Sequence, residues 1–463
     1  MTYRIAELEV PADNPFQHDA LERRPLVEFL VGLMERTGGP FVLALDSSWG
    51  SGKTTLVRML EAELRRQEYS CIYFNAWKVD YVTDPLVALV SSIDRLDIWS
   101  GEAATSFREH LKSARRVTGL VAKRVAVAAA KALTAGVLDV DEEIEAAVSE
   151  LAGDSVNDIV EAFQKEGELL EKFRGELEQA IGQLPPAGKK STLIFFVDEL
   201  DRCRPTFAIE LLERIKHLFD VRNMLFVLSL DKGQLEASVA AVYGPGINAA
   251  EYLRRFIDLE YAIPATKGKK FVANLFTRFE LDDIFAQRTH PDLRYDRTNL
   301  IDLFAALADA VPLSLRAQER CMTRLRVVMD QTPQNHYLDP VLVAVLIVLR
   351  TIKPDLFAGL AIGHASAKDV MAYLNGLPGG RQIVTGRSGI LIEAYLIVAD
   401  ENEDRKENTL RELQASTQNE STAIATRAGE LLEMVQHLWR PVRETPTLSR
   451  VTCKIDLAAG ISE

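Results

Sequence analysis

The sequence predicts an α/β protein: a five-stranded parallel sheet with crossover helices, a long helical insertion within it, and an α-helical C-terminal domain. Three observations carry this. Strand-like segments recur at Phe41–Leu45, Ser70–Asn75, Thr192–Val197, Met224–Leu230 and Phe256–Ile263, and the unbroken apolar run before Asp198 has the pattern of a strand buried on both faces. Segments of helical spacing separate them. Beyond Pro264 the pattern is almost purely helical, broken at Thr332-Pro333, Lys353-Pro354 and Leu377-Pro378-Gly379-Gly380.

Taken in order, residues 1–40 form a lead-in containing an amphipathic helix over Ala20–Arg36. Residues 41–264 form the core, with strands at the apolar runs and helices at Thr206–Phe219 and Lys232–Val242. Residues 98–188 are the insertion, basic at Lys112, Arg115, Arg116, Lys123, Arg124 and Lys131, and acidic from Asp139 to Asp158. At 100° per residue the basic side chains cover about half the helix circumference, with Val121 and Val125 opposite. That fits a membrane-surface helix over 112–131 or, the reading preferred here, one arm of a charge-matched hairpin. Residues 265–463 form the helical domain. Within it Pro340–Ile352 reads as a buried core helix, Asn402–Leu438 as one long helix, and 440–463 as a short tail or strand.

Composition narrows the function. Apolar residues make up 47% of the 463, enough for real cores. A net charge of −13 argues against nucleic acid as the partner. Neither the four scattered cysteines nor the seven histidines have metal-ligand spacing, and the cysteines fit a reducing compartment. The N-terminus lacks an apolar signal core, and no segment reaches the about 20 apolar residues of a membrane span. The expected location is cytoplasmic, with 112–131 as the one candidate for peripheral membrane contact.

The chemistry begins at Ser47-Ser48-Trp49-Gly50-Ser51-Gly52-Lys53-Thr54-Thr55, between the first strand and the helical spacing of Leu56–Leu60. Strand, glycine loop and helix in that order define a P-loop. Gly50 and Gly52 let successive N–H groups converge on one anion, and the helix N-terminus adds its positive dipole end. Ser48, Trp49, Gly50, Ser51, Gly52, Lys53, Thr54 and Thr55 are the predicted nucleotide-binding residues. Lys53 is placed to reach the β- and γ-phosphates, and the Thr54 hydroxyl to ligate Mg²⁺. The usual first glycine of such a loop is Ser47 here. A second half-site ends the buried run Thr192–Val197, where Asp198 is placed to hold Mg²⁺ through a water and Glu199 to polarise the attacking water.

These segments together resemble the KAP P-loop NTPases, relatives of the AAA+ and STAND classes. The resemblance rests on Trp49-Gly-Ser-Gly-Lys-Thr54, Tyr73-Phe-Asn-Ala-Trp77, Val197-Asp-Glu-Leu-Asp-Arg-Cys203 and Leu228-Ser-Leu-Asp231, and covers about residues 15–330. It implies an additional strand between those of the two phosphate motifs, and ATP with Mg²⁺ as substrate and cofactor. It implies further residues: Arg255 as an arginine finger acting on a neighbouring subunit, and Arg316, in Pro312-Leu-Ser-Leu-Arg316, as a γ-phosphate sensor with Arg320 as fallback. Asp231 either orients the lytic water or caps the next helix. Asn75 and Trp77 are left outside the catalytic set, Trp77 as a core residue. No guanine-reading Asn-Lys-x-Asp motif stands at the expected place.

The family is linked to membrane-associated assemblies in animals and to phage exclusion in bacteria. The expected function is therefore a Mg²⁺-dependent ATPase acting as a switch or oligomerisation engine, with self-association and partner proteins. The competing reading is a nucleotide-braced scaffold that recruits partners without hydrolysis.

Overall fold

The computed structural model describes residues 8–82, 84–94, 171–172, 174–179, 181–182, 192–218, 220–264, 268–290, 293–311, 313–334, 336, 338–418, 422–438 and 447–456. The chain divides into two compact units, Leu8–Pro264 and Ala265–Glu463. Each is taken by itself.

The first unit is built on five parallel strands, β1 (Phe41–Asp46), β2 (Ser70–Asn75), β3 (Leu193–Asp198), β4 (Met224–Leu230) and β5 (Leu259–Ala262). Their order across the sheet is β2-β3-β4-β1-β5. β4 thus lies between the strand that enters the glycine loop and the strand that ends in the paired carboxylates, the inserted-strand arrangement expected from the sequence. Every residue of β3 and β4 is buried. Alternate residues serve opposite faces, which is why these strands are apolar from Leu193 to Val197 and from Met224 to Leu228.

One face, with Leu43, Ile194, Phe196, Leu225 and Val227, packs on α1 (Arg24–Arg36) and α2 (Lys53–Arg66). The other, with Val42, Ala44, Phe195, Val197, Phe226 and Leu228, packs on α3 (Pro85–Asp94), α4 (Pro205–Leu218) and α5 (Lys232–Tyr243). Leu177 and Ile181, the buried residues described from the insertion, join that second face. The basic stretch 112–131 and the acidic stretch 139–158 lie outside the described residues. No helix among the described residues is long and apolar enough to cross a membrane.

The last strand is shorter than the predicted Phe256–Ile263. A short helix, α6 (Ala249–Leu253), precedes it, and Phe256 and Ile257 are buried outside the ladder. The Asp258 carboxylate accepts the Val42 N–H at 2.8 Å and its own N–H donates to the Val42 carbonyl at 3.0 Å, one residue before the paired register with β1 begins at Leu259.

The second unit is helical throughout its described residues. It contains α7 (Lys269–Arg278), α8 (Leu281–Ala286), α9 (Asp296–Ala310), α10 (Leu315–Asp330), α11 (Pro340–Ile352), α12 (Pro354–Ala361), α13 (Ala367–Asn375), α14 (Gly380–Thr385) and α15 (Arg387–Ala399). It ends with α16 (Glu403–Ser416), α17 (Thr422–Leu438) and α18 (Leu448–Ile455). α11 is buried on all sides from Pro340 to Leu349, as its uniform apolarity predicts for a central helix.

Two expectations fail here. The single helix over 402–438 is two helices, because α16 stops at Ser416 and α17 packs back on it, bringing Leu410 and Leu413 onto the core that holds Leu431 and Val435. The tail at 440–463 carries a helix where a strand was an option. Thr447 caps α18 by accepting the Arg450 N–H, and Leu448, Val451 and Ile455 make one buried face.

Candidate functional site

The glycine loop runs from Asp46 into α2. Its start is tied to the sheet by the Ser47 N–H on the Leu230 carbonyl at 3.2 Å, and by the Lys232 N–H on Asp46 Oδ1 at 2.8 Å. Gly50 has φ 76° and Gly52 φ 85°. Both lie in the left-handed region that a side chain resists, and that is the physical reason for glycine at these two positions. Gly52 is the N-cap of α2 and offers no side-chain acceptor. The first-turn N–H groups of the helix, which have no intrahelical partner, are therefore available to an anion.

Lys53 opens the helix, with Thr54 and Thr55 half-buried in the same turn. The Lys53 ammonium donates to the Ser47 carbonyl and, at 3.2 Å, to the Ser48 carbonyl. Burial lowers its pKa, opposed by the charges of Asp201, Asp231, Asp198 and Asp46. That list of neighbours places the lysine among the acidic groups that end β1, β3 and β4. Ser48 is exposed, Ser51 is half-buried, and Trp49 is exposed with its indole N–H donated to Asp201.

The paired carboxylates stand at the end of β3, in register with Asn75 on one side and Ser229 on the other. Asp198 is 1% exposed. Its Oδ1 accepts the Glu199 N–H at 2.9 Å and its Oδ2 accepts the Tyr73 hydroxyl at 2.7 Å. Burial, then the Asp198 charge, pushes the Tyr73 hydroxyl well above the usual range, so it remains a donor. The Arg58 guanidinium of α2 lies over the Tyr73 ring, itself paired with Glu61 at 3.0 Å.

Glu199 has φ 61°, an unusual left-handed conformation for a glutamate, worth about 1–3 kcal/mol of strain. Asn75 Nδ2 donates to its Oε2 at 2.8 Å, and Arg202 pairs with its Oε1 at 2.6 Å. Of the residues placed by sequence, the structure brings Lys53, Thr54, Asp198 and Glu199 to one edge of the sheet. Asp231 takes the capping alternative: it is the N-cap of α5 and accepts the Gln234 N–H at 3.3 Å.

Arg255 is elsewhere. It is exposed, follows α6, and lies 5.8 Å from the Tyr252 ring centroid, before β5 begins. Arg316 belongs to the helical unit, exposed in the first turn of α10, whose cap is Ser314 accepting the Ala317 N–H. Arg320, one turn on, is exposed as well.

Several side chains at the site were not assigned a role from sequence. Asn75, Tyr73 and Arg202 hold the two carboxylates. Buried Arg23 donates Nη2 to the Ser51 carbonyl at 3.2 Å from beneath the loop. The signal for the first two was present, since Tyr73-Phe-Asn is the polar end of a strand beside β3. Trp77 is not a core residue. It is 51% exposed, with Arg202 5.7 Å from its ring centroid.

Asp198 and Thr54 offer hard oxygen donors of the kind Mg²⁺ takes. Among the described residues no group of three or more His, Cys, Asp or Glu is set to hold a metal by itself. A divalent ion here would draw its remaining ligands from phosphate and water, as Mg²⁺ commonly does. The residues fit that ion.

A parallel sheet with an inserted strand, a glycine loop opening a helix, and paired carboxylates on the neighbouring motif strand define a P-loop NTPase of the additional-strand class. The chain belongs to the KAP family: residues 25–331 match the KAP family P-loop domain. No curated protein matches it in sequence. Among solved structures it is similar to the Aeropyrum pernix ORC2 protein (ADPNP-ADP complexes), at 14% identity over 99% of this chain and 97% of that one, with a TM-score of 0.33. It is also similar to Drosophila ORC bound to poly(dA/dT) DNA and Cdc6, at 14% identity over 94% and 73%, with a TM-score of 0.28. Likenesses this loose decide nothing about what the chain binds.

Proposed function

We propose that this chain binds Mg·ATP and hydrolyses it slowly, using the nucleotide as a switch for assembly. The observation that carries this reading is the paired placement of Asp198 and Glu199, both oriented by named donors, at the sheet edge that also holds Lys53. In it the first-turn N–H groups of α2 and Lys53 hold the phosphates, Thr54 and Asp198 hold Mg²⁺, and Glu199 takes the proton of the attacking water. Mg²⁺ would supply charge neutralisation between the phosphates. Catalysis of this kind is mostly positioning and electrostatics. ATP over GTP, cytoplasmic location, and a role in bacterial phage exclusion or defence extend the same proposal by family resemblance. The domain reading also stands as a proposal: a nucleotide core over 41–264 coupled to a helical domain over 265–463 that reports nucleotide state.

The test is ATP turnover with Mg²⁺ at several protein concentrations, beside affinity for a fluorescent ATP analogue. Turnover per chain that rises with concentration supports an assembling ATPase. Tight binding without turnover at any concentration favours the scaffold reading. One observation speaks for that second reading: both oxygens of Glu199 are engaged, by Asn75 and Arg202, so the base must be released before it can act.

Two variants probe the supporting residues. Tyr73→Phe removes the one side-chain donor shown on Asp198, a charge-assisted bond worth about 1.5–3 kcal/mol. It is expected to raise the Mg²⁺ concentration for half-maximal turnover roughly tenfold, leaving metal-free nucleotide affinity unchanged. Arg316→Ala is expected to keep ATP binding and lower turnover by roughly 10²-fold. Unchanged turnover removes Arg316 from the mechanism and leaves Arg320 as the residue to examine.

A further inference from the structure

Asp201 has no part in the chemistry proposed above, yet its side chain ties the turn after β3 to the phosphate loop. It is 6% exposed. The Trp49 indole N–H, from the phosphate loop after β1, donates to its Oδ2. Lys53 supplies an opposing charge. A buried carboxylate is costly unless donors meet it, and here the donor comes from the phosphate loop.

The topology makes this contact informative. β4 separates β1 from β3, so the loop carrying Trp49 and the turn carrying Asp201 are not neighbours along the sheet. Their side chains bridge the end of the intervening strand. Trp49 is 45% exposed, so burial does little to hold its ring. What the residue contributes is the indole N–H, a donor with no acceptor function. It sits immediately before Gly50, in a loop otherwise held by the Ser47 N–H on Leu230, by Lys53 on the Ser47 and Ser48 carbonyls, and by Arg23 on the Ser51 carbonyl.

We propose that Asp201 is a positioning residue for the phosphate loop: by holding the Trp49 indole it fixes residues 47–52 so that their N–H groups converge before the nucleotide arrives. Affinity then depends on a hydrogen bond between two side chains that do not touch the phosphates, as preorganisation of a binding loop requires.

This inference rests on the nucleotide reading, and the experiment separates the two. Wild type, Trp49→Phe, Asp201→Ala, Asp201→Asn and the Trp49→Phe/Asp201→Ala double variant are compared for affinity to a fluorescent ATP analogue. Indole N–H resonances are read from tryptophan-labelled protein without nucleotide, with Trp49→Phe identifying the Trp49 signal. Trp49→Phe keeps an aromatic ring, smaller than the indole, and removes the donor, and is expected to weaken binding roughly tenfold, the worth of one charge-assisted hydrogen bond. Asp201→Ala is expected to cost the same and to move the Trp49 signal upfield. The double variant should be no worse than either single one, and Asp201→Asn, which keeps an acceptor, should recover most of the affinity. Wild-type affinity in a folded Trp49→Phe protein, additive losses in the double variant, or an unmoved Trp49 signal in Asp201→Ala would each overturn the proposal. If Asp201→Ala does not fold, Trp49→Phe and Asp201→Asn decide it. If the wild type itself binds no nucleotide, the nucleotide reading falls and this one falls with it; if it binds and Trp49→Phe binds equally, this one falls alone.

Discussion

Replacing Glu199 with glutamine is expected to cut ATP turnover by about 10²–10⁴-fold, the range for removing a general base, while ATP binding persists. The substitution is nearly isosteric. Its side-chain carbonyl can still accept from Asn75, whereas the charge that pairs with Arg202 is lost. Lys53, Thr54 and the loop amides are untouched, so the phosphates keep their ligands. Single-turnover hydrolysis at saturating Mg²⁺, beside the affinity of the fluorescent analogue, separates the two effects. The expected product is a protein that holds ATP and remains in its assembled state. Turnover equal to wild type would remove Glu199 as the base and with it the mechanism proposed here. Absence of turnover in both proteins, with binding intact, would make the nucleotide a structural brace.

The local geometry explains why such a base would need control. A carboxylate next to bound triphosphate would hydrolyse it continuously if always free, which suits an enzyme better than a switch. Here the left-handed φ of Glu199 turns its side chain toward the end of β2, where Asn75 meets it. Arg202, one 3₁₀ turn later, closes on the other oxygen and lies beside the exposed Trp77. The clamp is therefore reachable from the surface.

How much of this was legible in the sequence differs by element. The core strands are legible because a strand buried on both faces is largely apolar, as Leu193–Val197 and Met224–Leu228 are throughout. The loop is legible because two left-handed positions demand glycine and the helix start demands small residues. Strand order is not written in composition; the inserted position of β4 came from resemblance and is seen in its pairing with both β1 and β3. The supporting shell was missed for a physical reason. Tyr73, Asn75 and Asp201 act across strands, at sequence separations of 125, 124 and 152 residues from their partners, and periodicity carries no information at that range. The end of the chain failed differently. The eight residues of α18 are too short for periodicity to register, and their helix is set by the Thr447 cap and the core they cover.

The largest effect beyond the base is expected at Arg255, proposed as a finger that acts on a neighbouring subunit. All five strands run parallel, and the phosphate loop follows the C-terminal end of β1 at Asp46. Arg255 precedes β5, whose pairing begins where Asp258 meets Val42, at the opposite end of that same strand. Val42 and Asp46 are four residues apart along β1, about 13 Å at 3.3 Å per residue. Arg255 thus starts from the end of the sheet away from its own cradle, which favours action on a neighbour. It is exposed on its own chain, its guanidinium 5.8 Å from the Tyr252 ring centroid. Arginine fingers supplied in this way are worth about 10³–10⁵ in rate. Arg255→Ala is thus expected to lose at least about 10³-fold in turnover with ATP affinity unchanged. Mixing it with Lys53→Ala provides the decisive comparison. Each protein alone is inactive, but a mixed assembly places an intact Arg255 from the Lys53→Ala chain against an intact cradle on the Arg255→Ala chain. Recovery of activity on mixing establishes a shared site and requires assembly for turnover. No recovery, with both variants folded and binding as expected, would confine catalysis to the single chain and leave Arg255 as a surface residue.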